Sequence, residues 1–219
     1  MKVVAVIQAR MGSTRLPGKV LMPILGQALL ELLVCRVARV KLIDQIVVAT
    51  SLERQDDKIA ELVSGLDDVV LFRGSEQDVL SRFVGAARDV DADVIMRITA
   101  DNPFFDWALA DRAIETFING DFDYLSTPDY PHGIGMEVFS GKALFRADQD
   151  TADPYDREHV TAYFYHNPQL FSLGEMKCTE NLSHVRLTVD TPEDMARAKG
   201  LFNRFGVDVT YREIIDAES

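Results

Sequence analysis

Four short apolar runs, each followed by a segment of helical periodicity, limit what this chain can become. Val3-Val4-Ala5-Val6-Ile7, Ile46-Val47-Val48-Ala49-Thr50, Val69 to Phe72 and Val94-Ile95-Met96-Arg97-Ile98 read as buried strands. After them, Gln27 to Val40, the stretch Ser51 to Gly65, Glu76 to Val90 and about Trp107 to Ile118 carry apolar residues at helical spacing. Strand–helix alternation of this kind calls for right-handed crossovers. It predicts an α/β fold with a mainly parallel sheet and helices on both faces. Ligands of such sheets sit beyond the carboxyl ends of the strands, so the loops after these strands should share one rim.

The second half is less regular. Phe122 to Leu125 and Met136 to Phe139 read as strands on either side of a Pro/Gly/Asp-rich loop, Ser126 to Gly135. A helix is expected near Gly141 to Arg146, and another over Asp156 to Tyr165. Leu170 to Gly174 and Val185 to Val189 read as further strands. Thr191 should cap a helix running to Phe205, with Pro192 in its first turn and Glu193 and Asp194 favouring its N-terminus. The expected organisation is a single domain over 1–219. It has a nucleotide-binding half (1–120), a small irregular lobe (121–184), and a returning strand with C-terminal helices (185–219). No apolar run approaches the length of a membrane span, and the start of the chain does not read as a signal peptide. Cys35, in an apolar helical pattern, is expected in the core. With only Cys178 besides, neither a disulfide framework nor a zinc site is indicated, which predicts the reducing cytoplasm.

The stretch Ile7 to Leu21, IQARMGSTRLPGKVL, carries the strongest chemical signal. The whole chain has a formal net charge of −12, yet Met1 to Leu30 holds Lys2, Arg10, Arg15 and Lys19 and no acid. The general acidity excludes a basic face for nucleic acid or anionic membrane. A local knot of cations on a Gly/Ser/Thr loop after a strand suits a polyphosphate: small residues let backbone N–H groups approach the oxygens, and the cations offset their charge. The order is not that of a GxxxxGK[ST] P-loop, because Gly12 to Gly18 is followed by Lys19 and Val20. Asp101 and Asp190 each end an apolar strand pattern. Two carboxylates so placed suit Mg²⁺ bridging to phosphate oxygens, although a turn aspartate and a helix-capping acid are ordinary alternatives. Arg73, Ser75 and Arg82 are candidates to reach a base or ribose. Glu137 and His159 are candidates to face an acceptor. Nothing supports a Ser-His-Asp hydrolase.

The motifs together resemble the sugar-activating cytidylyltransferases, or CMP-sugar synthetases. The likeness is to the spore-coat-polysaccharide SpsF-like branch, kin to acylneuraminate and 3-deoxy-manno-octulosonate cytidylyltransferases. Gln8-Ala9-Arg10-Met11-Gly12-Ser13-Thr14-Arg15-Leu16-Pro17-Gly18-Lys19 is similar to the family's first signature. Arg73 to Arg82, Arg97 to Pro103, Arg157 to Thr161 and Leu187 to Asp194 resemble its later ones. The resemblance implies a nucleotide-diphospho-sugar transferase sandwich that binds CTP and a small sugar-type acceptor and works as a homodimer. It implies that Arg10, Arg15 and Lys19 hold the triphosphate, with Ala9, Gly12, Ser13 and Thr14 in the same loop. Asp101 and Asp190 would hold Mg²⁺, and Thr99, Ser75 and Arg82 would lie near the cytidine. Arg10, Arg15, Lys19 and Asp101 would then carry the catalysis. Where the branch has Gly-Leu-Asp-Val-Glu-Val-Phe, this chain has Gly133-Ile134-Gly135-Met136-Glu137-Val138-Phe139, so an acid of the acceptor side is replaced by Gly135, and His132 is expected to reshape that region. Two alternatives remain at this level: a glycosyltransferase of the same fold, for which no Asp-x-Asp stands at a strand end, and a noncatalytic nucleotide-binding protein.

Overall fold

Strand β1 (Val3–Gln8) is an interior strand of a seven-stranded sheet in the computed structural model, which describes residues 1–218. On one side it pairs in parallel with β4 (Gln45–Ser51), and β4 with β5 (Val69–Gly74). On the other it pairs in parallel with β6 (Val94–Thr99). The second half of the chain completes the same sheet. β8 (Glu137–Ser140) runs antiparallel to β6 and to β7 (Tyr124–Ser126), and β9 (Leu173–Glu175) runs parallel to β7 at the edge. The remaining two strands, β2 (Pro23–Ile24) and β3 (Gln27–Ala28), form a separate hairpin. The sheet order is therefore β5-β4-β1-β6-β8-β7-β9, mostly parallel, as the alternation of strands and helices requires.

Both faces of β1 are buried, which is why its run is continuously apolar. Val3, Ala5 and Ile7 pack in one layer with α1 (Leu29–Val37), α2 (Asp57–Ser64), α4 (Trp107–Gly120), α8 (Pro192–Phe205) and α9 (Tyr211–Glu218). Val4 and Val6 pack in the other with α3 (Val79–Asp89), α5 (Gly141–Asp150) and Phe164 of α7 (Ala162–His166). Each fully buried Val or Ile contributes roughly 1.5–3 kcal/mol relative to exposure. Among the described residues no helix is long and apolar enough to cross a membrane.

Five local expectations are corrected. The helix expected from Gln27 starts at Leu29, because the chain first turns back through Leu25 (φ 51°) and Gly26 (φ 85°), a two-residue hairpin turn with both central φ positive. Cys35 is exposed rather than core: α1 turns Arg36 inward and leaves Cys35 outside, one turn after Glu31. The helix expected from Glu76 starts at Val79, capped by Asp78, which accepts from the Ser81 N–H; Ser75 Oγ accepts from the Asp78 N–H and shapes the preceding turn. The helix expected over Asp156 to Tyr165 breaks into α6 (Pro154–His159) and α7 at Val160. Finally, Val185 to Val189 is not a strand of the sheet. It is an extended strip with one parallel bridge, Arg186 to His132, and its Val189 N–H bonds to the Asp101 carbonyl. The strip's partners are loops beyond the strand ends, which places Asp190 against Asp101 without widening the sheet. The start of α8 follows expectation, with Thr191 and Asp194 forming a full capping box behind Pro192.

Candidate functional site

The loop after β1 lies over the carboxyl ends of β1 and β6 and is folded by its own backbone. The Ser13 and Gly18 N–H groups both donate to the Met11 carbonyl, at 2.9 and 3.0 Å. Gly18 takes φ 71°, and a Cβ there would stand 3.2 Å from Met11 Cε, so a side chain at this turn is disfavoured twice. The loop is anchored from below by Asp56, fully buried, whose Oδ1 accepts from the Met11 N–H at 2.7 Å while Oδ2 is held by Ser51. Among the described residues the amides of Gly12, Thr14 and Arg15 make no hydrogen bond, which leaves them for ligand oxygens.

Lys19 projects from the far end of this loop and is 7% exposed. Its Nζ donates to Asp101 Oδ2 at 2.9 Å, Asp190 Oδ1 at 2.9 Å and the Val189 carbonyl at 2.8 Å. The two aspartates therefore converge on one point, and that point is held by a cation. Asp190 also pairs with Arg15 at 3.0 Å and with Arg186. Arg10 has no hydrogen-bond or ion-pair partner among the described residues. A cavity of about 250 Å³ is lined by the loop from Gln8 to Arg15 together with Lys19, Thr99, Asp101 and Asp190. It adjoins a second, inner chamber of about 180 Å³, and the two share Gln8, Ala9 and Arg10. The inner chamber is closed by Val79, Arg82, Arg97, Glu158 and His159.

Of the residues singled out from the sequence, the structure brings Ala9, Arg10, Gly12, Ser13, Thr14, Arg15, Lys19, Thr99, Asp101 and Asp190 to the first cavity, and Arg82 and His159 to the second. Four others, Arg73, Ser75, His132 and Glu137, line neither cavity. Arg73 lines neither cavity: its guanidinium donates to the Ser51 and Glu53 carbonyls and pairs with Asp57, tying β5 to the start of α2. Ser75 is exposed and engaged locally, its carbonyl accepting from Arg82 Nη1. His132 is exposed, with its backbone bridged to Val185 and Leu187, and lines neither cavity. Glu137 is held on all sides by Arg97, Tyr124 and Thr161 rather than pointing a free carboxylate at a ligand. Gly135 is exposed and lines neither cavity. A Cβ there would meet only Thr127, its carbonyl at 3.4 Å and its Oγ1 at 3.7 Å, both ordinary contacts.

Sequence reading passed over Gln8, Arg97, Glu158 and Asp56 as site residues. A signal existed for Arg97, a charge inside an otherwise apolar buried strand. None existed for Asp56, which sits in an unremarkable run of polar residues. Also unforeseen is the clamp made by Arg157, which grips Asp78 at the cap of α3 (2.6 Å) and Asp148 on α5 (2.9 Å). It fixes α6, which carries Glu158 and His159, against α3, which carries Arg82.

Five carboxyl groups lie below their ordinary range, Glu213 through bonds from the Thr210 amide and hydroxyl and four others against the pull of burial. For Asp190, burial pushes upward but is outweighed by Lys19, Arg15 and Arg186. For Glu137, burial is outweighed by Arg97 and by the Tyr124 and Thr161 hydroxyls. Asp78 and Asp194 follow the same pattern, burial losing to Arg157 and to the helix-start amides respectively. The sign follows from the unfolded chain, where these groups titrate at 3.8 for Asp and 4.5 for Glu. Their folded values are lower, so the stability they contribute is complete above the unfolded values and is lost as pH falls through the folded ones. Thermal unfolding followed by circular dichroism should show a midpoint that is flat down to about pH 5 and falls below about pH 4.

The family model described as Cytidylyltransferase matches residues 4–213. The spore coat polysaccharide biosynthesis protein SpsF of Bacillus subtilis is 39% identical over 220 residues, spanning 96% of this chain and 91% of that protein. The structure of a cytidylyltransferase from Leptospira borgpetersenii superposes with a TM-score of 0.93 at 33% identity, over 99% of this chain and 93% of that one. The structure of CMP:2-keto-3-deoxy-manno-octonic acid synthetase complexed with CTP superposes with a TM-score of 0.71 at 18% identity, over 93% of this chain and 99% of that one, a likeness of fold.

Proposed function

The chain belongs to the cytidylyltransferase family of CTP-dependent nucleotidyltransferases, and from that premise we propose that it transfers CMP from CTP to a sugar or sugar-acid acceptor, releasing pyrophosphate, in polysaccharide or surface-glycan biosynthesis. The observation that carries this reading is the convergence of Lys19, Arg15 and the unpaired Arg10 on one cavity with two strand-end carboxylates. In this reading the free loop amides and the three cations grip the triphosphate. The same cations offset the charge that builds on the departing pyrophosphate, and positioning and charge neutralisation supply most of the catalysis. An acceptor oxygen attacks the α-phosphorus as the bond to the pyrophosphate breaks on the side of the three cations.

The donor set fits a divalent cation. Asp101 and Asp190 offer two hard oxygens converging on one point, the number that Mg²⁺ takes from protein when phosphate and water complete its octahedron. Among the described residues no group of three or more His, Cys, Asp or Glu could hold a metal without such help. When bound between Asp101, Asp190 and the triphosphate, Mg²⁺ would neutralise α-phosphate charge and lower the pKa of an acceptor hydroxyl. Lys19 competes for the same oxygens, so it must turn from the aspartates to the phosphates as the nucleotide arrives. Titration calorimetry should therefore show weak Mg²⁺ or Mn²⁺ binding to the protein alone and binding at least about tenfold tighter with CTP present. Equal affinity with and without CTP would refute the exchange.

The assembly in this reading is a homodimer and the compartment the cytoplasm, the latter supported by two free cysteines. The test of function is a pyrophosphate-release screen with each nucleoside triphosphate, Mg²⁺ and a panel of sugar acids, sugar phosphates and phosphonates. CTP-selective release that depends on an acceptor is expected. A nucleoside diphosphate released from a sugar donor would point to a glycosyltransferase instead, and CTP binding without turnover to a noncatalytic homologue.

A further inference from the structure

The two oxygens of Asp190 have separate sets of partners. Oδ1 accepts from Lys19 Nζ at 2.9 Å and pairs with Arg15 at 3.0 Å, and both of those residues line the first cavity. Oδ2 accepts from Arg186 Nη2 and, at 3.3 Å, from the Thr188 hydroxyl; neither Arg186 nor Thr188 lines the cavity. Asp101 is held differently. Its Oδ2 meets Lys19 alone, and its Oδ1 has no partner among the described residues.

Arg186 is fixed from several directions. The strip that carries it is tied to the loop at His132, whose N–H donates to the Val185 carbonyl at 2.9 Å and whose carbonyl accepts from the Leu187 N–H at 2.8 Å. The Arg186 carbonyl accepts from Arg197 Nη1 on α8 at 2.6 Å, and Arg197 Nη2 pairs with Glu218 on α9 at 2.6 Å. The guanidinium of Arg186 also lies 3.8 Å from Asp194 Oδ2. That same Asp194 oxygen takes the Asp190 and Thr191 N–H groups at 2.9 and 3.0 Å. Arg186, the Asp190 carboxylate and the capping box of α8 thus form one unit, set just outside the cavity.

This division of the Asp190 oxygens matters once the nucleotide arrives. Lys19 and Arg15 share the cavity with the triphosphate and turn toward it. Arg186 stays behind, because its backbone and its guanidinium are held by groups outside the cavity. An oxygen bonded to a guanidinium is closed to a metal ion, since the two cations repel. Asp190 is left with Oδ1 alone to offer. Mg²⁺ demands a tight octahedron with single oxygens, whereas Ca²⁺ takes six to eight ligands and accepts both oxygens of one carboxylate. Partners behind a metal ligand set its orientation in this way.

We propose that Arg186 is a positioning residue that selects the metal: by occupying Asp190 Oδ2 it confines this carboxylate to one-oxygen ligation, which favours Mg²⁺ over Ca²⁺. This rests on the cytidylyltransferase reading above.

The test is calorimetry on the full chain with a nonhydrolysable CTP analogue, in saturating Mg²⁺ and again in saturating Ca²⁺. The quantity read is the ratio of the two dissociation constants. Both ions carry the same charge, so any purely electrostatic effect of a substitution acts on both and cancels in the ratio. The unsubstituted protein should favour the Mg²⁺ complex. Arg186→Met keeps the length of the side chain and removes its donors, and should shift the ratio toward Ca²⁺ by about three- to tenfold. That is less than the roughly 10- to 100-fold that partners behind a metal ligand control, because Asp101 is untouched. The variant should fold, since the strip keeps its backbone bonds to His132 and Arg197, and its binding of the analogue shows that it has. Arg15→Met removes the same charge from the other oxygen of the same carboxylate. It should weaken both complexes and leave the ratio within about twofold. The proposal is overturned if the unsubstituted protein does not favour the Mg²⁺ complex, if Arg186→Met leaves the ratio unchanged, or if Arg15→Met shifts it as far. Failure of the wider reading shows separately, as an unsubstituted protein that does not bind the analogue, or that binds it equally well when a chelator has removed the metal.

Discussion

Lys19→Ala is expected to lower CTP-dependent pyrophosphate release by about a hundred- to a thousandfold, the range for removing one preorganised charge from a transfer site. The fold should survive. Asp190 keeps Arg15 and Arg186, and the loop keeps its Met11 bonds and its anchor on Asp56. The same substitution has a second, opposite effect. With the ammonium gone, Asp101 loses its ion-pair partner and Asp190 keeps only Arg15 and Arg186, so a divalent cation should bind the nucleotide-free protein more tightly than before. Tighter metal binding with collapsed turnover is a pair of results that general damage does not produce. Full activity in Lys19→Ala, or unchanged metal affinity, would remove Lys19 from the site. Asp101→Ala should match the loss of turnover but reduce metal affinity, since it deletes a ligand instead of a competitor.

The largest stability effect is expected at Arg36, far from the chemistry. It is 1% exposed inside α1, where the sequence pattern reads as apolar. Its Nε donates to the Phe105 carbonyl at 2.9 Å, Nη2 to the Val209 carbonyl at 2.8 Å and Nη1 to the Val207 carbonyl. The guanidinium lies 4.8 Å over the Trp107 ring. Burial pushes its pKa down to about 10, against the pull of Asp106, so it stays charged at neutral pH. One side chain thus satisfies three carbonyls and joins α1 to the start of α4 and the turn before α9. Arg36→Ala leaves those carbonyls unpaired around a cavity and should cost about 3–5 kcal/mol, which is about 10 °C in Tm for a chain of this size. Arg36→Lys should recover only part of this, because an ammonium cannot serve three separated carbonyls in one plane. In either variant, activity measured well below the new Tm should remain, whereas a loss in step with Lys19→Ala would join Arg36 to the site.

Much of the scaffold is legible in residue order because it follows from local rules. The four buried runs, the Thr191 capping box with Pro192 behind it, and the glycine at residue 18 each record a backbone requirement met by near neighbours. The cations and small residues of the loop after β1 were legible for the same reason, since they lie within a dozen positions. Asp101 and Asp190 could be read as a pair of strand-end acids, but not as a pair held by Lys19: the strip that carries Asp190 is bonded to the Asp101 backbone, and only the folded chain brings both to one ammonium. Arg73 shows the converse. Its motif is intact, yet Ser51, Glu53 and Asp57 take up its donors. Glu137 likewise looked like a ligand-facing acid until Arg97, Tyr124 and Thr161 were found on its two oxygens.

The sequence by itself determined the strand–helix alternation, the carboxyl-end rim and the cationic, small-residue character of the first loop, because apolar periodicity, turn chemistry and charge density act over a few residues. The tertiary structure alone decided which charges are spent and which are free. Lys19 meets its aspartates across 82 and 171 positions, and Arg36 meets its farthest carbonyl across 173. Whether a side chain is a ligand, a clamp or a cap depends on the donors and acceptors that packing brings within about 3 Å of it, and that distance is measured through space, not along the chain.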